Sequence, residues 1–560
     1  MKERPWLIII AIAVVAWGAG LTLGFFLDDL NNLEQALAAP LTFDGLAQGF
    51  TVFDPASIEV WALDREAVRF FRPLFVLSLK LDHLVWGLNP FGFHLTNLLL
   101  HILNALLVYR FLRLVEVDSR IALFTGMLFA GYPHHTVAIL WVSGRTELLM
   151  ATFVIAALVA HMESRQRACW WLWRIGALLA SACAFLTKEG AVVLAPLLVL
   201  SEWLVRGPGE RFAEVVKRMT LRLWPYMAMT ALYLVYRFAV FGLGEHPPMP
   251  YYVSPSEPLF PLYLAVKTVY YYLCWLMALP IMPVAPVAFL LDHWWAAAGA
   301  ALIVFAGWGM VMWKLRAQRG AFVWLLWSVA ALAPTAPVMT SNHYTYIANV
   351  GVALLAVCFI VQMPLKRRKV QIGFAVLVCV LHATFGVINY RNLESANVQL
   401  ADKVVDAAPD ILEGEADLYL VNLPFAAAHT GQRLRVLHGA RDLRTHLLTV
   451  SSEPFEIGPP PRVEWHGPRA LTMHLPDEWL DSELVKMFLM MTGDIVPNRH
   501  YPSGPATLTT LATRSDRVDA FEMKWPDTAD PARQFIMEIR PGAEEGEVEA
   551  DVVRLMQQGR

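Results

Sequence analysis

The chain has 560 residues, 57% of them hydrophobic and 17% charged, with a mean hydropathy of +0.46. Soluble domains sit near ~45–50% apolar and ~25% charged, so this balance excludes a cytosolic enzyme and a disordered chain. A formal net charge of −3 supplies no global basic field and excludes a nucleic-acid binder.

A membrane span needs about 20 mostly apolar residues, and Lys and Arg gather in cytoplasmic loops. The first predicted span is 6–27, preceded by Lys2 and Arg4, which puts the N-terminus in the cytoplasm. A signal peptide cleaved at Ala36-Leu37-Ala38 is disfavoured, because Asp28, Asp29 and Glu34 intervene. Residues 28–92 read as a first outer loop holding Asp28, Asp29, Asp44, Asp54, Asp64 and Arg72. Within it, 70–88 carries Arg72, Pro73, Lys80, Asp82 and His83, each costly in lipid. It is predicted as an amphipathic helix lying on the membrane.

Further spans are predicted at 93–112, 120–138, 146–162, 169–187, 190–205 and 223–242, then at 293–313, 321–339, 346–363 and 370–390. Positive residues near 110–120, 163–167, 206–222, 314–319 and 366–369 then all fall on the cytoplasmic side. The stretch 263–291, with Tyr270, Tyr271 and Tyr272 and with Pro280, Pro283 and Pro286, is predicted as an interfacial or re-entrant element on the outer side. That gives about eleven spans, N-terminus in and C-terminus out; a hairpin at 263–291 would give thirteen with the same parity. Cys169, Cys183, Cys274, Cys358 and Cys379 all fall in the apolar part without a paired spacing, which argues against a disulfide framework or zinc site.

The tail, 391–560, has about 27 acidic and 17 basic residues and reads as a soluble α/β or α+β domain. Leu418-Tyr419-Leu420-Val421 and Phe535 to Ile539 are predicted strands; 431–448 and 544–557 are helical candidates. The division expected is therefore 1–390, a multispan membrane domain, and 391–560, an extracytoplasmic domain.

Several polar residues are not explained by membrane insertion. His94, Asn97, His101 and Asn104 fall on one stripe about 80° wide at 100° per residue. The deeper three fit a hydrogen-bonded helix seam or a site equally well, and His94, at the outer mouth, is the better site candidate. Asp28-Asp29 leave the first span on the outer side, where a general base could meet a lipid headgroup or where two acids could simply cap a helix. Arg72, Arg145, Lys188 and Arg237 all map to the outer half, against the usual bias of positive charge. Cations collected there suit a phosphate or pyrophosphate.

The segments Arg72-Pro73-Leu74, Asn89 to Asn97 with His101, and His135 with 138–141 form an ordered set. Gly144-Arg145-Thr146-Glu147-Leu148-Leu149, Lys188-Glu189 with Pro196, Arg237, and Tyr344 and Tyr346 with Gly351 continue it. Together with Asp28-Asp29, they resemble the GT-C superfamily of multispan glycosyltransferases, and most closely the transmembrane O-mannosyltransferase-like group and its bacterial relatives. The pattern departs at Tyr132, Val137, Asn342-His343 and Ala348-Asn349.

The resemblance implies an all-α polytopic fold and transfer of a sugar from a polyprenyl-phosphate donor to an acceptor hydroxyl on a protein, lipid or glycan. It further implies an inverting reaction in which Asp28 or Asp29 is the general base. Arg145, Lys188, Arg237 and Arg72 are then candidates for the donor phosphate. His94, His135, Glu147, Glu189, His343, Tyr344 and Tyr346 are candidates for substrate binding. A divalent cation is compatible with carboxylates beside a phosphate, although no dedicated ligand cluster is present. The resemblance and the compact loops point to a bacterial inner membrane with the tail in the periplasm. An O-antigen ligase or polymerase, and a lipid-linked-solute transporter or flippase, are the rivals; the latter would show internal repeats, and none is seen.

Overall fold

A computed structural model describes residues 4, 6–48, 51–52, 59–60, 68–207, 209–241, 253, 255–281, 285–318, 320–424, 427, 429–451, 459–476, 498–514, 517–541 and 548–555. Lys2, Asp54, Asp64 and Pro283 of the reading above lie outside the described residues. The chain divides into two compact units. One comprises Met1–Leu23, Phe71–Gly244 and Tyr251–Ile388; the other comprises Gly24–Phe70, Glu245–Pro250 and Asn389–Arg560. The first part of the outer loop thus groups with the tail, which the boundary read near 390 did not anticipate.

The first unit is helical. Each predicted span meets a helix, but only four described helical stretches are long and apolar enough to cross a membrane. These are Pro90–Leu114, Val142–Glu163, Trp294–Leu315 and Lys366–Ala407. The apolar helices Trp6–Thr22, Ser119–Ala130, Trp170–Phe185, Ala321–Thr335 and Ala348–Val361 are shorter. Local chemistry sets the ends. Asn89 caps Pro90–Leu114 by accepting from Phe91 N–H at 3.1 Å, and Pro90 takes the first turn, where no amide is needed. Asp118 caps Ser119–Ala130 through the amides of Arg120 and Ile121. Helix Ala321–Leu332 meets Ala348–Val361 at Gly351, where a Cβ would fall 2.4 Å from the Trp324 carbonyl oxygen. Such close approach substitutes for a hydrophobic drive in lipid.

The stretch 263–291 contains helix Phe260–Met277 and the short helix Ala285–Asp292. The segment predicted to lie flat on the membrane is helix Pro73–Trp86, with Phe75, Leu79 and Asp82 turned inward. Leu81, Leu84 and Val85 are its exposed face. Its buried face is mostly apolar, with Asp82 as the one acid on it.

The second unit holds two five-stranded sheets. The mixed sheet has the order Val548–Arg554, Gln534–Pro541, Ala416–Val421, Leu443–Leu447, Glu59–Val60. The three contacts from Gln534–Pro541 through to Glu59–Val60 are parallel, and the Val548–Arg554 edge is antiparallel. The other sheet, antiparallel throughout, runs Arg462–Trp465, Ala470–His474, Arg517–Lys524, Ala506–Arg514, His500–Ser503. Their shared core includes Leu418, Leu420, Met473, Phe521, Phe535 and Met537. The strands read at 418–421 and 535–539 are present. The helix read at 431–448 is cut to Thr430–Leu437 and followed by a strand, and the helix read at 544–557 is the strand Val548–Arg554.

Candidate functional site

In the first unit, four elements converge on Lys188. It follows helix Trp170–Phe185 and precedes the turn Glu189–Val193. Its Nζ lies 2.5 Å from Glu147 Oε1 of helix Arg145–Glu163 and 5.2 Å from the centre of the Tyr344 ring. Arg72, the residue before helix Pro73–Trp86, grips Glu189 with two donors at 2.5 and 3.0 Å. Both side chains of the Lys188–Glu147 pair are buried. Burial would push the Glu189 carboxyl up, but the Arg72 guanidinium and the Lys188 ammonium outweigh it and hold it well below the usual carboxylate range. Arg237, half-buried on helix Phe212–Phe241, exerts its charge on Tyr233 together with Glu189 and Arg72.

A cavity of about 90 Å³ opens beside this knot, lined by Glu147, Lys188, Glu189, Tyr344, Thr335 and Val338. His343 adjoins it: its ring lies 4.1 Å from that of Tyr344 and 5.9 Å from Trp141, and its Nδ1 pairs with Ser341 Oγ at 2.7 Å. The chain from 333 to 345 is fastened from helix Phe260–Met277. Lys267 donates to the carbonyls of Thr335, Ala336 and Val338, Tyr263 donates to Val338 O, and Tyr271 Oη accepts from Ser341 N–H. Sequence reasoning passed over Lys267. Its signal was a lone lysine among tyrosines inside an apolar run.

The other first-unit candidates fall elsewhere. Arg145 is fully buried and occupied: it pairs with Asp82 at 2.6 Å and donates to Asn97 Oδ1 and the Phe93 carbonyl, both at 2.8 Å. His94 is buried on the same helix as Asn97. Tyr346 has no exposed surface; its hydroxyl meets His101 Nδ1 at 2.7 Å and accepts from Asn104 at 3.3 Å. The His135 ring lies 4.4 Å from Tyr346 and 5.4 Å from His101. The deeper part of the polar stripe is therefore a hydrogen-bonded seam. A further knot surrounds Glu202, fully buried between His161 at 3.0 Å and Arg165 at 2.5 Å.

Asp28 and Asp29 belong to the second unit. Leu27, with φ +50°, turns the chain out of extended backbone, and Asp28 is the N-cap of helix Asp29–Ala38. Asp29 is 2% exposed and its carboxylate accepts from Phe26 N–H at 3.3 Å; Asp28 is half-buried.

No family model matches the chain. Over 130 residues it is 36% identical to protein O-mannosyl-transferase TMTC2 of Mus musculus, a stretch covering 22% of this chain and 16% of that protein. It is 30% identical over 163 residues to TMTC3 of Mus musculus, covering 28% and 17%. The chain thus spans about a sixth of the length of these curated relatives. Among solved structures it is similar to ArnT from Cupriavidus metallidurans bound to undecaprenyl phosphate, with 15% identity and a TM-score of 0.44, over 79% of this chain and 89% of that one. The Archaeoglobus fulgidus oligosaccharyltransferase follows at 12% identity and a TM-score of 0.41, over 79% and 63%.

Proposed function

We propose that this chain is a multi-pass membrane glycosyltransferase that moves a sugar from a polyprenyl-phosphate donor to an acceptor hydroxyl at the outer face. The observation that carries the reading is the buried knot at Lys188, where Arg72 and Lys188 meet Glu189 and Glu147 beside a cavity. The local likeness to O-mannosyl-transferases supports it. In this reading the protein sits in a bacterial inner membrane with about eleven spans, N-terminus inside, and the domain after 390 outside.

The acceptor hydroxyl loses its proton to Asp28, the more exposed of the pair, while buried Asp29 shapes the turn. The oxygen forms a bond to the anomeric carbon as the bond from that carbon to the phosphate oxygen breaks on the opposite face. Configuration inverts, and polyprenyl phosphate leaves. The leaving phosphate gains charge, and Lys188, Arg72 and Arg237 stabilise it. His343 and Tyr344 line the sugar side, with Glu147 and Glu189 holding the cations in place. Arg145, Tyr346, His135 and His94 act as framework.

The test is transfer by purified protein from single labelled polyprenyl-phosphate sugars to membrane extract. Asp28→Asn should cut turnover by about 10²–10⁴-fold, the share general-base catalysis supplies. No turnover with any donor, or wild-type turnover in both Asp28→Asn and Asp29→Asn, would sink the reading.

A further inference from the structure

The short segment that carries Asp28 and Asp29 is gripped along its length by residues far away in sequence but in the same unit. The Gly24 N–H donates to Glu394 Oε2 at 2.9 Å. The approach is so close that a Cβ at 24 would fall 2.0 Å from Glu394 Oε1 and push that carboxylate out of its present position. Phe26 stacks on Tyr390 with ring centres 4.6 Å apart. Beyond the turn, Glu34 of helix Asp29–Ala38 takes both arms of Arg435 at 2.6 and 3.0 Å, and Arg435 is nearly buried. Arg435 also donates to the Leu443 carbonyl, which ties its helix, Thr430–Leu437, to the mixed sheet.

Between these grips lies Leu27 at φ +50°. A non-glycine residue persists in that region only when its surroundings over-determine it. Here the surroundings are Glu394 and Tyr390 on one side and Arg435 on the other. If any grip is released, Leu27 can return to ordinary backbone and the two carboxylates swing away from their direction.

We propose that residues 389–437 hold the general-base segment in its working geometry, with Glu394, Tyr390 and Arg435 as positioning residues. This rests on the reading of Asp28 and Asp29 as base and neighbour. It gives the second unit a role in the reaction: it aims the acid pair.

Two measurements on the full-length protein in detergent test it. The first is hydrogen exchange over 24–38 in the wild type, Glu34→Gln, Glu394→Gln and Arg435→Lys. The second is kcat and KM for donor in the same set. Glu34→Gln and Glu394→Gln keep the shape of the residue and leave the buried arginine its bond to Leu443. Both should speed exchange at 24–38 and lower kcat about 10–100-fold with donor KM nearly unchanged, the cost of misplacing a reacting group. Arg435→Lys keeps the charge but not the two-armed grip, so its loss should be smaller than that of Glu34→Gln. Arg444→Gln, which loosens the same domain at Asp417 without touching 24–38, serves as control for general destabilisation and should leave kcat intact. Unchanged exchange at 24–38, or faster exchange with wild-type kcat, or an equal loss of kcat in the control, would overturn the proposal. If the wild type transfers no sugar from any donor, the functional reading fails, and exchange alone then decides whether the segment is held.

Discussion

Lys188 faces a carboxylate on one side and an aromatic ring on the other, an arrangement that fixes a flexible ammonium at one point. Lys188→Met should reduce turnover by about 10²–10³-fold, the usual cost of one electrostatic contact to a developing anion, as measured by single-donor transfer. Lys188→Arg should restore little, because the buried space beside Glu147 is set for a point charge. Residue types announced this knot: Arg72, Lys188, Glu147, Glu189 and Tyr344 were all singled out from outward-facing charge and motif order. Their pairing was not legible. Nothing in the sequence says that Arg72 takes Glu189 while Arg145 takes Asp82, because such partners are 117 and 63 positions apart and share no periodicity. Arg145 shows the consequence, since a cation of the right type in the right motif is spent on Asp82, Asn97 and a carbonyl. Leu27 is a comparable hidden cost. Held at positive φ, it stores on the order of 1–3 kcal/mol that no residue pattern reveals.

Helix Phe260–Met277 carries Lys267 at 3% exposure, with its ammonium satisfied by carbonyls rather than by an acid. Lys267→Met would leave the Thr335 and Val338 carbonyls without that donor, a loss of about 1–3 kcal/mol for buried acceptors. We expect a lower thermal midpoint in detergent and a raised donor KM, because the strip they belong to lines the Lys188 cavity. In the mixed sheet, Asp417 on strand Ala416–Val421 accepts from His446 at 2.7 Å, Arg444 at 2.9 and 3.0 Å, and Gln534 at 2.9 Å. Burial would push this carboxyl up, but those donors outweigh it and hold it at about 2. A depressed folded-state value stabilises the domain above the ordinary aspartate range, near pH 4, and that stability is lost as pH falls from there toward 2. The amount is about 2 kcal/mol, and Asp417→Asn should flatten the acid limb of an unfolding curve taken between pH 5 and 2. The strand Val548–Arg554 explains a misread element. Its acidic run and scattered Val and Leu suggest a helix, yet Val548, Ala550 and Val552 alternate with charges and pair against Gln534–Pro541. Pairing at a sheet edge overrides local propensity.

At the scale of the molecule, the apolar stretches were readable in order, and each coincides with a helix. Their lengths were less so, because a hydrophobic run does not mark where a helix breaks. The first run, for example, is helical at Trp6–Trp17 and tightens to a 3-10 turn over Gly18–Thr22. The eleven-span reading predicts that a reporter fused after 560 is exposed at the outer face and one fused before residue 1 is not, as alkaline phosphatase and green-fluorescent fusions would register. An inward C-terminal reporter would remove the outer-face chemistry altogether. The grouping of Gly24–Phe70 with Asn389–Arg560 was invisible to composition, since a parallel strand as short as Glu59–Val60 carries no signal of its partner Leu443–Leu447. That grouping also has a consequence in time. The strand Glu59–Val60 and the Gly24–Ala38 segment leave the ribosome roughly 330–365 residues before Asn389, which at ~5–20 residues per second is a wait of about a quarter of a minute to somewhat over a minute. Until then Gly24 has no Glu394 and Glu34 has no Arg435, so a half-made chain can already be threaded into the bilayer while its acid pair is still unset. In the proposal made above, a later stretch of the chain sets an earlier one.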